Sequence, residues 1–83
     1  MIETIRELVW THSGVSGNPA SLKDDTDLYR AGMKSFASVQ LMLALEEAFG
    51  IEFPEEMLNR ATFRSVSAIA QAVRSLAPDS LAA

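Results

Sequence analysis

Few side chains in this sequence could do covalent chemistry, and Ser35 has the most distinctive surroundings among them. The chain has no cysteine and one histidine, His12, which excludes a thiol nucleophile, a disulfide framework and a histidine–cysteine metal site. Gly32 ends a polar loop, and Ser35 follows three residues later, where an apolar run with helical spacing begins. A serine at such a position is typical of a helix N-cap, whose hydroxyl accepts a hydrogen bond from a free backbone N–H.

The helix that would begin at Ser35 carries two apolar stripes. At 100° per residue, one stripe covers an arc of roughly 100° and consists of Leu41, Met42, Leu45 and Phe49. A second stripe lies nearly opposite, within roughly 60°, and consists of Phe36, Val39 and Leu43. A small domain needs only one stripe for its core. The second stripe therefore either packs under the preceding loop or contacts a partner or an acyl chain. We favour the contact, because this stripe is on the same side of the helix as the serine.

The histidine and the other serines show no catalytic arrangement. A lone histidine near a helix end, such as His12, is ordinarily a surface residue. Four other serines have no base placed to activate them: Ser13, Ser16, Ser21 and Ser38. Nothing in the sequence resembles a nucleophile elbow. The sequence therefore predicts no catalytic residue, no metal site and no enzymatic activity.

The elements that must position Ser35 are helical. Apolar periodicity predicts an amphipathic helix over residues 2–12, a second helix over residues 35–49 and a third that Ser65 caps and that runs to Leu76. Pro54 can occupy the first position of a short helix that continues through Leu58. Residues 51–53 alternate like a strand but are too few to form one. We predict an all-α fold, a small bundle of three main helices plus one short helix.

A long loop after the first helix, residues 13–34, shows no sustained periodicity. A loop of about twenty residues in a compact domain must be functional or packed on itself. Its expected anchors in the core are Leu22, Leu28 and Tyr29, whereas Asp24, Asp25 and Asp27 are expected to stay in water. In the first helix, Ile2, Ile5, Leu8 and Val9 are expected on the core side, and the side taken by Trp10 is left open.

Length and composition bound the function. Eighty-three residues with 48% hydrophobic content and a net charge of −4 indicate one globular domain, residues 1–77, with a flexible tail at residues 78–83. An acidic chain without a basic patch does not fit a nucleic-acid binder. Because no apolar run approaches the ~18 residues of a membrane span and no signal peptide precedes the first helix, we expect a cytoplasmic monomer that does not bind membranes.

The segment Gly32-Met33-Lys34-Ser35-Phe36 resembles the prosthetic-group site of the acyl carrier protein family, which includes peptidyl and aminoacyl carrier domains. The run over residues 41–54 is similar to the second helix and following loop of that family, and the resemblance extends from Ile2 to about Leu76. It implies that a phosphopantetheinyl transferase joins 4′-phosphopantetheine from coenzyme A to Ser35. The resulting phosphodiester would suit a helix N-terminus, and its thiol would hold a cargo as a thioester.

The resemblance also implies a surface for partner proteins. In this family the acidic second and third helices dock on basic patches of client enzymes, where charge steers the encounter. Glutamates cluster here without an intervening lysine or arginine, although such a run is also typical of a solvated face. The predicted partner-binding residues are Lys34, Phe36, Val39, Leu43, Glu46, Glu47, Glu55 and Glu56.

Three positions depart from the family pattern. Lys34 stands where an aspartate usually precedes the modified serine, and Ala37 and Gln40 stand where fatty-acid carriers are commonly acidic. We therefore predict a discrete carrier with a dedicated acyl- or aminoacyl-activating ligase and downstream transferases, in a specialised pathway. Two alternatives stay open: a housekeeping fatty-acid acyl carrier protein, and a cofactor-free helical interaction module in which Ser35 is only a cap.

Overall fold

The computed structural model describes residues 2–15 and 22–76, and within them it confirms the predicted all-α fold. Helix α1 spans Ile2–His12, α2 spans Ser35–Phe49 and α3 spans Val66–Leu76, with a short 3₁₀ helix at Glu55–Met57 between α2 and α3. No β-strand occurs in these two ranges, and none of their helices has the length and apolarity to cross a membrane. The predicted tail, residues 78–83, and the end of the predicted domain at residue 77 lie outside the described residues.

Helix α1 packs against both α2 and α3. Ile5 and Val9, one turn apart, are fully buried, and Ile2 and Leu8 pack beside them half-buried. Trp10 is 36% exposed. It lies on the outer side because five residues of α-helix place it about 140° around the axis from Ile5.

Helix α2 contributes one side to the core, as its first stripe predicts. Leu41 and Leu45 are fully buried, while Met42 and Phe49 are half-buried against the core. The helix ends at Gly50, whose left-handed backbone (φ 63°, ψ 39°) lets the N–H of Ile51 donate to the Glu46 carbonyl at 3.1 Å. Glycine adopts this conformation without a steric penalty, so it is a common residue after a helix.

The short helix differs in detail from its prediction. Pro54 has an extended backbone (φ −69°, ψ 158°) and precedes the helix instead of occupying its first position. The N–H groups of Met57 and Leu58 donate to the carbonyls of Pro54 and Glu55 at 2.9 and 3.0 Å. These bonds span three residues, which makes the segment a 3₁₀ turn, and Leu58 lies beyond it.

Helix α3 begins after Ser65, whose hydroxyl accepts a hydrogen bond from the Ala68 N–H at 3.1 Å, so the predicted N-cap is confirmed. The first four N–H groups of an α-helix have no partner within the helix, and the cap satisfies one of them. It has more buried residues than α1 or α2, five in all: Val66, Ile69, Ala70, Ala72 and Val73.

The described part of the long loop is anchored in the core as predicted. Leu22 and Leu28 are buried, and Tyr29 packs half-buried against the core. Two backbone bonds join the loop to the start of α3: the Leu28 N–H donates to the Arg64 carbonyl at 2.7 Å, and the Ser67 N–H donates to the Asp24 carbonyl at 2.8 Å. These bonds hold the described part of the loop, residues 22–34, against the start of α3.

Two of the three loop aspartates, which were predicted to be solvated, form ion pairs. Asp24 accepts from Arg6 of α1 at 2.8 Å, and Asp27 lies 3.4 Å from the Arg64 guanidinium. An Asp27 carboxylate oxygen also accepts from the N–H groups of Tyr29 and Arg30 at 3.0 and 3.3 Å. Aspartate is well suited to this local turn, because its short side chain reaches its own backbone two residues on. The Asp24 and Asp25 side chains are exposed, as predicted, and only Asp27 is half-buried.

Candidate functional site

Ser35 is the first residue of α2, and the prediction that it is the N-cap is wrong. The residue that flanks the helix is Lys34, with an extended backbone (φ −101°, ψ 165°) and no side-chain cap bond. The Lys34 carbonyl already accepts the N–H of Ser38 at 2.9 Å, which is the first bond of the helix. Ser35 is therefore inside the helical turn, and its exposed side chain is not in the geometry of a cap.

The approach to Ser35 is held by the loop before it. Met33 is 3% exposed, and its N–H donates to the Leu28 carbonyl at 2.9 Å. Gly32 has a φ of 122°, a region that side chains disfavour, and this lets the chain turn outward just before the helix. A buried methionine and a turn at glycine thus place an exposed serine at a helix start, where free N–H groups favour an anion.

The second stripe of α2 faces away from the core. Phe36, Val39 and Leu43 are 75, 50 and 55% exposed, so they do not pack under the described part of the loop. We call these three residues the outer ridge. An exposed apolar row of this kind beside an exposed serine is suited to a partner protein, and its contact with a partner stays a prediction.

A cleft lies beside Ser35 and shares Val39 with the outer ridge; its volume is about 320 Å³. It runs between the loop, α2 and the segment that follows the 3₁₀ helix, and its lining consists of Tyr29, Ser35, Ser38, Val39, Met42, Leu58, Asn59, Arg60 and Phe63. The guanidinium carbon of Arg60 lies 4.2 Å from the centre of the Tyr29 ring. Sequence reasoning missed Leu58, Asn59 and Arg60, because residues 58–64 have no periodicity that indicates which side chains face α2.

The predicted acidic residues lie at a distance from Ser35. Glu46 and Glu47 are eleven and twelve residues further along α2, which is about 17 Å at the rise of an α-helix, and the first turn of α2 has no acid. Glu47, Glu55 and Glu56 are exposed. Glu46 differs, because its carboxylate accepts the Phe53 N–H at 2.9 Å, so it has a structural role as well as a predicted one in partner binding.

The histidine and the serines other than Ser35 were not predicted to be functional. His12 lies half-buried in the last turn of α1. The Ser13 hydroxyl is buried, donates to the Val9 carbonyl and accepts from the Val15 N–H at 3.4 Å. The Ser38 hydroxyl donates to the Ser35 carbonyl at 2.7 Å. Ser16 and Ser21 lie outside the described residues. Within residues 2–15 and 22–76, no group of three potential ligands could hold a metal ion.

Comparison with curated proteins places this arrangement in a family. A family model described as a phosphopantetheine attachment site matches residues 3–73. An aminoacyl carrier protein from Agrobacterium fabrum is 49% identical over 74 residues, which cover 89% of this chain and 89% of that protein.

Solved structures agree in fold. One match is a chain in the crystal structure of an engineered Bradyrhizobium japonicum glycine:[carrier protein] ligase complexed with carrier protein from Agrobacterium tumefaciens and AMP; it is 49% identical with a TM-score of 0.84, over 89% of this chain and 99% of that one. A solution structure from Agrobacterium tumefaciens is 48% identical with a TM-score of 0.70, over 90% of each chain. With the family model matched over residues 3–73 and an exposed serine at the start of α2, the chain belongs to the family of carrier proteins that bear phosphopantetheine.

Proposed function

We propose that Ser35 carries 4′-phosphopantetheine and that the chain is a discrete carrier of an amino acid held as a thioester. The observation that carries this proposal is the exposed Ser35 side chain at the first residue of α2, inside the matched family region. The chain has no cysteine, so the prosthetic group supplies the thiol. This chain's own residues present the hydroxyl, leave it open to a phosphopantetheinyl transferase and offer an exposed surface beside it.

The residues around Ser35 fit the group. The hydroxyl does not cap the helix, and it lies next to a cleft whose lining includes the apolar side chains of Val39, Met42 and Leu58. Among the described charged residues, Lys34 adjoins the attachment point and Arg60 lines the cleft. A phosphodiester there would meet positive charge and a helix N-terminus together.

The cargo and the loading enzyme are inferred from the relatives. The Agrobacterium fabrum relative is an aminoacyl carrier protein, and a similar carrier is found in a complex with a glycine:[carrier protein] ligase. We expect this chain to accept an amino acid from an ATP-dependent ligase of that kind. The outer ridge, Lys34 and the glutamates Glu46, Glu47, Glu55 and Glu56 are its proposed contacts with the ligase and with downstream transferases.

The housekeeping fatty-acid alternative is less well supported. Lys34, Ala37 and Gln40 leave the first turns of α2 without the negative charge that the resemblance leads us to expect of a fatty-acid carrier. The cofactor-free module is disfavoured by the family match itself. The family is generally non-catalytic, and we assign this chain no reaction of its own.

Intact mass tests the attachment. Incubation with coenzyme A and a broad-specificity transferase should add the mass of one phosphopantetheinyl group to the wild type. Ser35→Ala should abolish the addition, whereas Ser38→Ala, the matched serine one turn on, should retain it. A wild type that stays unmodified with several transferases would sink the carrier proposal.

The same readout separates the two kinds of cargo. The modified protein is offered glycine or other amino acids with ATP and an aminoacyl ligase, and malonyl-coenzyme A with a malonyl-loading enzyme. Addition of an amino acid but not of malonate is expected. Loading by the malonyl enzyme alone would identify a fatty-acid carrier instead.

A further inference from the structure

Arg60 is the only charged side chain among the described residues that line the cleft beside Ser35. No carboxylate of residues 2–15 and 22–76 lies within salt-bridge distance of its guanidinium, since the ion pairs found there use Arg6 and Arg64. Ser35 and a cation that is not neutralised by those residues therefore line the same cleft.

Tyr29 fixes the orientation of this guanidinium. The guanidinium carbon is 4.2 Å from the centre of the tyrosine ring, a distance at which the cation stacks on the ring face. A guanidinium over an aromatic ring still has N–H groups with which it can bind an anion. Tyr29 is itself held, because it packs against the core and its N–H donates to the Asp27 carboxylate at 3.0 Å.

The backbone that carries Arg60 is held on both sides. Before it, the Asn59 side-chain amide donates to the Glu56 carbonyl at 2.9 Å and accepts the Thr62 N–H at 3.0 Å. After it, Phe63 is 5% exposed and meets the Phe53 ring edge-on, with centroids 5.2 Å apart. A cation held in this way loses little conformational entropy when it binds an anion.

These observations assign a role to Arg60 that rests on the proposed attachment at Ser35. We propose that Arg60, stacked on Tyr29, binds the phosphodiester of the phosphopantetheine group and holds the first part of the arm along the cleft. A guanidinium presents paired donors that match phosphate oxygens, and the apolar Val39, Met42 and Leu58 line the path that the arm then takes. Arg60 is thus a positioning residue. Lys34 and Arg60 are both exposed, but of the two only Arg60 lines the cleft and lies over the Tyr29 ring.

Nuclear magnetic resonance on unmodified and modified wild-type protein tests this assignment directly. The side-chain Nε–H resonance of Arg60 should shift on modification at low salt, and the shift should shrink at high salt because the contact is ionic. The ³¹P resonance of the attached group should move in Arg60→Gln relative to wild type. Arg74→Gln, which removes an equal charge from the exposed last turn of α3, should leave it in place.

Three results overturn the assignment: an Arg60 Nε–H resonance identical in the two forms, a ³¹P resonance that Arg60→Gln does not move, or one that Lys34→Gln moves as much as Arg60→Gln. The wild-type comparison needs no variant, so it decides the matter even if Arg60→Gln does not fold. Intact mass is measured on each sample first. Absent modification would contradict the proposed function, whereas modification without the Arg60 shift would contradict this inference alone.

Discussion

Glu46, a predicted partner-binding residue, also stabilises the fold. Its carboxylate accepts the N–H of Phe53 at 2.9 Å, and its carbonyl accepts the N–H of Ile51 at 3.1 Å. Both bonds tie the end of α2 to the segment that leads into the 3₁₀ helix. Phe53 is buried at 5% exposure, so its N–H has limited access to water and depends on this acceptor.

Removal of the Glu46 carboxylate should therefore destabilise the protein. We expect Glu46→Ala to lower the free energy of unfolding by about 1–2 kcal/mol, since hydrogen bonds to charged groups contribute on this order and the Phe53 N–H would lose its partner. Glu47→Ala, the exposed neighbour, is the matched control and should change it by no more than about 0.5 kcal/mol. Urea unfolding measures both. Equal effects of the two variants would show that the Phe53 bond adds no stability.

Helix α2 is apolar on two sides for two reasons. Leu41 and Leu45 are fully buried against the core, while Phe36, Val39 and Leu43 of the outer ridge are exposed. The first turn of α2 contains no acidic residue and its last turn contains no basic residue. The helix is stabilised by packing on one side only. The outer ridge thus adds little to folding and is available for binding.

Two leucines of this helix make a matched pair for testing the division. Leu45→Ala should cost about 2–5 kcal/mol, because it opens a cavity in the core. Leu43→Ala should change stability by about 0.5 kcal/mol or less, as an exposed substitution on a helix that alanine favours, yet it should weaken binding to the loading ligase. Thermal or urea unfolding and a ligase titration measure the two effects. A large loss of stability in Leu43→Ala would place the outer ridge in the core.

The loop between α1 and α2 acts as a structural element without being a helix. Leu22, Leu28 and Met33 are buried, and backbone bonds from the loop reach Arg64 and Ser67. These bonds set where α2 begins relative to α3. The loop therefore determines the width of the cleft in which Tyr29 and Arg60 lie.

Charge is unevenly distributed over the whole molecule. The net charge is −4, and exposed glutamates lie near the end of α2 and on the 3₁₀ helix, whereas Lys34 and Arg60 lie close to Ser35. The basic patch of a partner would be attracted to the glutamates near the end of α2 and on the 3₁₀ helix, which we call the acidic end. The outer ridge and the cations near Ser35 would contact another part of the partner's surface. Such complementarity acts mainly on association and is sensitive to salt.

Binding to the natural ligase should therefore respond to charge reversal and to ionic strength together. We expect Glu47→Lys to weaken binding by about three- to tenfold at 0.01 M salt and by less than about twofold at 1 M, since the Debye length falls from about 30 to 3 Å. Glu3→Lys, an exposed acid on α1, should have a small effect in both conditions. Calorimetric titration measures the affinities. A Glu47 effect that does not depend on salt would contradict a long-range role for the acidic end.

The local sequence pattern was sufficient to predict the helices and the family of this protein. The periods of apolar residues predicted the three helices, the glycine after α2 and the cap of α3, because these features depend on neighbours within a few turns. The two stripes of α2 followed from the angle per residue alone. The segment around Ser35 was enough to indicate the family, since the chemistry of attachment needs only a serine in a short local setting.

Contacts between distant segments depended on how the chain packs. Whether Ser35 or Lys34 flanks α2 depends on the backbone path that the buried Met33 and the loop impose. Trp10 is on the outer side because α2 and α3 pack on the side of α1 that carries Ile5 and Val9. The pairing of Arg60 with Tyr29 joins residues about thirty positions apart, and no periodicity relates them. Such pairs form only when the loop and the segment after the 3₁₀ helix dock on the same side of α2, and long-range packing is what brings them there.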